Sequence, residues 1–254
     1  IWYNVMYLDK DEDGNRLTDE KEIKIAKQRL LDRVGHISDW DVSRVTDMSE
    51  LFQKMRLFND DISNWNVSNV TDMEAMFLYA ESFNQPLHNW NVSNVRNMKN
   101  MFFGADDFNQ PLNLWNVSNV TTMRSMLSWI RDFNQPLNRW NVSNVRDMRE
   151  MFNTATSFNQ SLDSWNVSNV TNMENMFADA YDFNGDVNSW NVSNVTDMNW
   201  MFKDARKFNK PLNRWNVSNV KEMISMFEYA ENFNQPLNSW NVSNVRDMQC
   251  MFKD

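Results

Sequence analysis

The chain has 254 residues, with 25 Lys and Arg against 34 Asp and Glu and a formal net charge of −9 at pH 7. That acidity argues against a nucleic-acid partner or an anionic membrane surface, since both select a basic stripe. A single cysteine, Cys250, excludes an intrachain disulfide framework and a thiolate metal cluster, and no apolar run approaches the roughly 18 residues of a membrane-spanning helix.

No signal peptide is visible at the start. Ile1 in place of Met suggests a processed or excised piece of a longer protein. The stretch "DKDEDGNRLTDE" at 9–20 fits the calcium-loop pattern D-x-D-x-D-G-x5-E. Asp9, Asp11 and Asp13 would give carboxylates, Asn15 a backbone carbonyl and Glu20 a bidentate carboxylate. A hard cation needs six to eight oxygens on a loop that curls round it, and Gly14 permits the sharp turn. Against the site, Arg16 stands where an apolar residue is usual, the upstream flank reads as strand, and no second loop pairs with it. The expectation is structural Ca2+, with a solvated acidic turn as the alternative. A helix around 19–33 follows, with Ile23, Ala26, Leu30 and Val34 on its apolar face. Residues 1–39 read as an N-terminal cap, which the exposed end of a repeat stack requires.

From residue 40 the chain repeats. Trp recurs at 40, 65, 90, 115, 140, 165, 190, 215 and 240, a step of 25. Phe-Asn pairs from Phe58 to Phe233 and Met from Met48 to Met248 keep the same step. Such a period marks a solenoid, so 40–254 reads as nine rungs, the last incomplete. In the copy that starts at Trp65, Met73, Met76, Phe77 and Ala80 have the i, i+3, i+4, i+7 spacing of one helix face. Thr71 and Glu74 have capping-box spacing. This predicts a short helix over 72–80. Trp90 and Val92 alternate with Asn91 and Ser93, which predicts a short half-buried strand. Identical strands then pair in parallel through right-handed crossovers. The expected fold class is α/β: a right-handed leucine-rich-repeat-like solenoid with one short parallel strand and one short helix per 25-residue repeat, roughly 40 Å long at about 4.8 Å per rung. The constant Trp, Val, Met, Phe, Ala and Leu positions fill its interior. One rung departs: Leu127 replaces the usual Phe and Ile130 the usual Ala. One side chain shrinks and its neighbour grows, as a close-packed interior of fixed volume requires. The sequence stops at "MFKD", midway through a repeat, so either the native chain continues or the last rung stacks on something else.

Every copy after the first carries an Asn-Val-Ser sequon, at Asn66, Asn91, Asn116, Asn141, Asn166, Asn191, Asn216 and Asn241. Glycans on rungs about 4.8 Å apart would collide, so the reading is a polar ladder, with glycans at a few accessible rungs as the alternative. The Asn after each repeated Phe reads as a second ladder that satisfies backbone groups. Specificity should lie where the copies differ. Tyr79, Phe103, Trp129, Tyr181, Trp200 and Tyr229 occupy such positions, and exposed aromatic residues on adjacent rungs would make a binding face. Enzyme chemistry finds no support. His36 and His88 have no metal-ligand spacing, and neither a nucleophile motif nor a glycine-rich phosphate loop is present.

The pattern "WNVSNVTDMxxMFxxAxxFNQPLNxWNVSNV" resembles the BspA-like leucine-rich-repeat surface-protein family over about 40–254. The resemblance implies cell-surface exposure and adhesion or partner binding, and it transfers no catalytic residue. The expectation is a non-enzymatic extracellular surface scaffold that binds a protein or glycan on another surface. The alternative is a structural subunit whose copies assemble into a filament, sheath or virion-surface layer. Ice or mineral binding by the flat Asn/Ser face is a third reading. No nucleic-acid partner and no membrane insertion of this segment are expected.

Overall fold

The structure, a computed structural model, describes residues 17 and 19–253. It opens with helix α1 (Glu20–Val34), one residue from its expected bounds. Asp19 caps the helix by accepting from the amides of Lys21 and Glu22 at 2.9 and 3.1 Å. Gly35, at φ 81°, ends it and donates to the Leu31 carbonyl. Leu30 is buried in the core, and Leu31 and Val34 pack against it. A 3-10 turn, Ile37–Asp39, leads into the repeats. Its Ile37 carbonyl accepts from the Trp65 indole at 2.9 Å, so this segment stands where a preceding rung would.

The 25-residue rungs stack in parallel, from Asp47 opposite Asp72 to Glu222 opposite Asp247. The predicted inward set is fully buried: Met73, Met76, Phe77 and Ala80 are inaccessible to solvent, and Trp65 and Val67 nearly so. The predicted conformations are not formed. Among the described residues no rung contains an α-helix, and parallel pairing is one residue wide in each rung, at isolated bridges.

The amide pattern explains the difference. The N–H groups of Met73, Ala75, Phe77 and Tyr79 donate to carbonyls of the next rung, at Asn97, Lys99, Met101 and Phe103, over 2.7–3.0 Å. Those of Met76, Leu78 and Ala80 donate three residues back, over 2.9–3.3 Å. Alternate amides thus face along the stack, which an α-helix cannot do because all its bonds are internal. Linked turns of this kind need left-handed residues. Ala75 and Tyr79 have φ 53° and 56°, and non-glycine residues at the same two positions recur near these values along the stack. Each costs on the order of 1–3 kcal/mol, offset by the inter-rung hydrogen bonds it permits. Thr71 is accordingly no helix cap: its amide and hydroxyl both meet the Thr46 carbonyl of the rung before. The expected strand is two turns, closed by Trp65 N–H to the Ile62 carbonyl and Val70 N–H to the Val67 carbonyl. Without strand–helix–strand crossovers, the premise for a right-handed expectation is also absent.

Three aromatic columns run through the core. Phe52, Phe77 and Phe102, then Phe152, Phe177, Phe202, Phe227 and Phe252, stack at 5.3–5.6 Å between ring centroids. A second Phe column, from Phe58 to Phe233, stacks at 5.6–6.2 Å. In the third, Trp140, Trp165, Trp190, Trp215 and Trp240 lie 6.2–6.4 Å apart. Each indole N–H donates to a buried carbonyl of the rung before, as Trp165 does to Leu137 at 2.9 Å. Polar ladders reinforce the stack. The Asn134 carboxamide oxygen accepts from the Asn159 amide and the Gln160 side chain, both at 2.9 Å. The Asn94 side chain donates to the Ser68 carbonyl at 2.7 Å, a contact repeated from rung to rung.

In the irregular rung both Leu127 and Ile130 are fully buried. Its backbone does not keep its bonds. Other rungs close turns from Ala80 N–H to Phe77 and from Phe83 N–H to Ala80. The turn at 127–130 is kept without a close bond from the Ile130 N–H to the Leu127 carbonyl, and the turn at 130–133 is not formed. Phe133, next to Ile130 in this turn, also has the widest spacings of its column, 6.2 and 6.1 Å. The β-branched Ile130, stiff at χ1, stands at this turn where Ala80 stands two rungs before.

Candidate interaction face

The inter-rung ladder runs along one face, and the side chains it turns outward are those that differ between copies. In the second rung these are Asp72, Glu74, Leu78, Tyr79 and Glu81. Ion pairs on this face join neighbouring rungs: Arg56 to Glu81 at 2.8 Å, Lys99 to Glu74 at 2.6 Å, and Lys207 to Asp182 at 2.7 Å. Pairs this exposed contribute at most about 1 kcal/mol each, yet their partners lie one repeat apart and so favour the 25-residue register.

The structure divides the six expected aromatic residues. Tyr79, Trp129 and Tyr229 share one repeat position and are 40%, 49% and 38% exposed. Phe103 is half-buried in the next rung from Tyr79, edge-on to its ring at 5.3 Å. Tyr181 lies two residues beyond the shared position, and half-buried Trp200 lies four residues before it. Tyr79, Phe103 and Trp129 therefore stand on three successive rungs, while the other three residues belong to a separate region further along. Gly104 separates Tyr79 from Trp129 in their column. Its φ is 66°, and a Cβ there would lie 2.5 Å from the Tyr79 ring, so the ring rests on the bare backbone.

Two partners of these aromatic residues escaped the sequence reading. The Arg206 guanidinium lies 4.6 Å from the Tyr181 ring centre, and the Lys253 ammonium 5.5 Å from that of Tyr229. Each cation comes from the next rung, Arg206 at a step of 25 from Tyr181 and Lys253 at a step of 24 from Tyr229, so reading the columns at the repeat period would have found only the first. A groove of about 680 Å³ between α1 and the first rungs, with Ile23, Lys27, Lys54, Met55 and Leu57 on its walls, also has Tyr79 at its edge.

The electrostatics of the face have both signs. Glu74 is held below the usual carboxylate range, chiefly by the hydrogen bond from Lys99, with Asn97 adding a second at 3.0 Å. Glu174 is pushed up, first by burial and then by Asp197 and Glu150, against Arg149 and Arg124. The two groups therefore affect stability in opposite directions. A lowered folded-state pKa contributes stability above the unfolded value, lost as pH falls through the folded one; a raised one reverses the sign. Glu174→Gln should raise the urea midpoint modestly at pH 7, with the gain gone below about pH 4, where the glutamic acid is neutral in both states. Glu74→Gln should lower the midpoint at pH 7. Equal effects of the two variants at pH 7 would contradict this assignment.

Of the calcium set, Asp9, Asp11, Asp13 and Asn15 lie outside the described residues. Glu20 begins α1, and its carboxylate meets Lys24 at 2.7 Å. Among the described residues, no group of three or more acids, His or Cys is placed to hold a metal. The sequon residues Asn66, Asn91, Asn116, Asn141, Asn166, Asn191, Asn216 and Asn241 are all exposed. Each accepts through its side-chain oxygen from the amide of the Ser two residues on, at 3.1–3.2 Å. This Asx turn gives the sequon a local structural use. No described helix is long and apolar enough to cross a membrane.

A family model described as "Mycoplasma protein of unknown function" (DUF285) matches the chain in four overlapping segments, 24–129, 89–188, 111–209 and 161–254. No curated protein and no solved structure matches the chain.

Proposed function

The chain belongs to the DUF285 family of repeat proteins, and from that premise we propose that it is a non-enzymatic scaffold of the BspA-like surface type, which binds a protein or glycan partner outside the cell. One observation carries this reading. Recurrent residues fill the core and the ladders, whereas many residues that differ between rungs turn outward along the inter-rung ladder and include the exposed Tyr79, Trp129, Tyr181 and Tyr229. A rigid stack with a variable outer face suits partner recognition, because little order is lost on binding. Structural Ca2+ at 9–20 belongs to the same reading, with a rise in thermal stability on calcium addition as its test. Glycans on the sequons remain an alternative use of that ladder, readable by intact mass of native protein.

Beads coated with the protein should adhere to a panel of extracellular matrix proteins and glycans. Serine replacements at Tyr79, Trp129, Tyr181, Trp200 and Tyr229 should reduce capture without altering the melting curve. Capture that survives every replacement removes this face from the proposal. The second reading, assembly of copies into a filament or surface layer, predicts concentration-dependent growth in light scattering, and a stable monomer removes it.

A further inference from the structure

Tyr181 and Tyr229 each carry a cation of their own chain against the ring. Among the described residues, Tyr79 and Trp129 carry none. The next-rung positions that would supply one hold Phe103 and Gly104 for Tyr79, and Asn153 and Thr154 for Trp129. Both rings are nonetheless exposed, about 10 Å apart at two rungs' separation.

The charges beside them are mixed, with a small acidic excess: exposed Lys54 stands one rung before Tyr79 in its column, and Arg56 and Arg131 flank the carboxylates. Glu81, Asp106, Asp107 and Asp132 lie on the same three rungs, just past the aromatic column. The Asp106 carboxyl is raised by burial; Arg131 offsets part of the rise, and Glu81, Asp107 and Asp132 add to it. Arg56 is committed to Glu81 at 2.8 Å, and Arg131 approaches Asp106 only to 4.0 Å. An aromatic face attracts a cation through its quadrupole, and neighbouring carboxylates strengthen that attraction. A neutral sugar would gain little from this field, and an anionic glycan would be repelled.

We propose that the Tyr79, Phe103 and Trp129 surface, with its carboxylate rim, binds an arginine- or lysine-bearing segment of a partner protein. The cation of the partner stacks on the exposed rings as Arg206 does on Tyr181. This rests on the reading of the variable face as the binding face and names the partner chemistry at one end of it.

The test is fluorescence anisotropy with a labelled peptide alternating Gly and Arg, beside a Gly-Glu peptide of equal length. The Arg peptide should bind and weaken with added salt, and the Glu peptide should not bind. Tyr79→Ser and Trp129→Ser should each weaken binding about fivefold or more. Asp106→Asn with Asp107→Asn should weaken it without touching an aromatic ring. Melting curves confirm folding, since the replaced aromatic residues are exposed. Equal binding of the two peptides, no binding of either, or Arg-peptide binding indifferent to Tyr79 and Trp129 overturns the proposal. Bead capture lost only through Tyr181, Trp200 or Tyr229 also overturns it while leaving the variable-face reading intact.

Discussion

Phe177→Ala should destabilise the protein by about 3–5 kcal/mol, the range of large-to-small changes at fully buried phenylalanines. The ring is inaccessible to solvent and stacks on Phe152 at 5.4 Å, Phe202 at 5.6 Å and Phe183 at 4.0 Å. Deletion opens a cavity that the neighbours cannot close, because each is pinned by the next ring in its own column. A second effect follows from the architecture. Each rung contacts only the rungs beside it, so the stability of the stack is a sum of nearest-neighbour terms. Weakening two adjacent terms near the middle should split the unfolding transition, with the segments before and after Phe177 melting separately. Denaturant unfolding followed by hydrogen exchange checks both points. A single sharp transition with a loss under about 1 kcal/mol would show that the columns pack loosely.

The same stacking decides what could be read from the sequence. Inward positions were legible because repetition fixes them: Trp65, Val67, Met73, Met76, Phe77 and Ala80 are all buried. Their conformation was not legible, because spacing of i, i+3, i+4 and i+7 reports which side chains turn inward and not how the backbone is bonded. A chain of turns with left-handed residues at Ala75 and Tyr79 turns the same side chains inward as a helix does. Composition hid those residues too. Positive φ is expected of Gly, Asn and Asp, yet Tyr79, Trp129, Glu150, Trp200 and Cys250 adopt it. The cost at the first four is met by hydrogen bonds to the next rung, which are long-range contacts invisible in any single copy. Helix α1 was legible because its determinants are local: Asp19 at its start, Gly35 at its end and one apolar face. For the interaction face, the outward positions were legible as differences between copies. Their division into a cation-covered and an uncovered group was not, because it depends on pairs 24 or 25 residues apart, such as Tyr229 with Lys253 and Tyr181 with Arg206.

The irregular rung gives the sharpest test of how packing and backbone are coupled. Ile130→Ala alone should cost about 2–5 kcal/mol, since Leu127 is too short to fill the space released. Leu127→Phe alone should cost about 1–3 kcal/mol, because Ile130 occupies the room the larger ring needs. The double variant restores the Phe and Ala found in the neighbouring rungs. It should fold at least as stably as the natural protein, so the two losses cancel and the coupling exceeds about 3 kcal/mol. The close turn bonds at 127–130 and 130–133, absent here and present in the neighbouring rungs, should form in the double variant. Each would add about 0.5–1.5 kcal/mol, so a net gain is expected. The aromatic ring introduced in place of Leu127 would then complete the first column between Phe102 and Phe152, and Phe133 should move closer to Phe108 than its present 6.2 Å. Urea denaturation of the four proteins measures the coupling, and amide exchange at residues 130 and 133 reports the turn. Additive losses in the double variant would mean that Leu127 and Ile130 do not compensate each other. Restored stability without slowed exchange would mean that volume alone is exchanged and that the open turn has another cause.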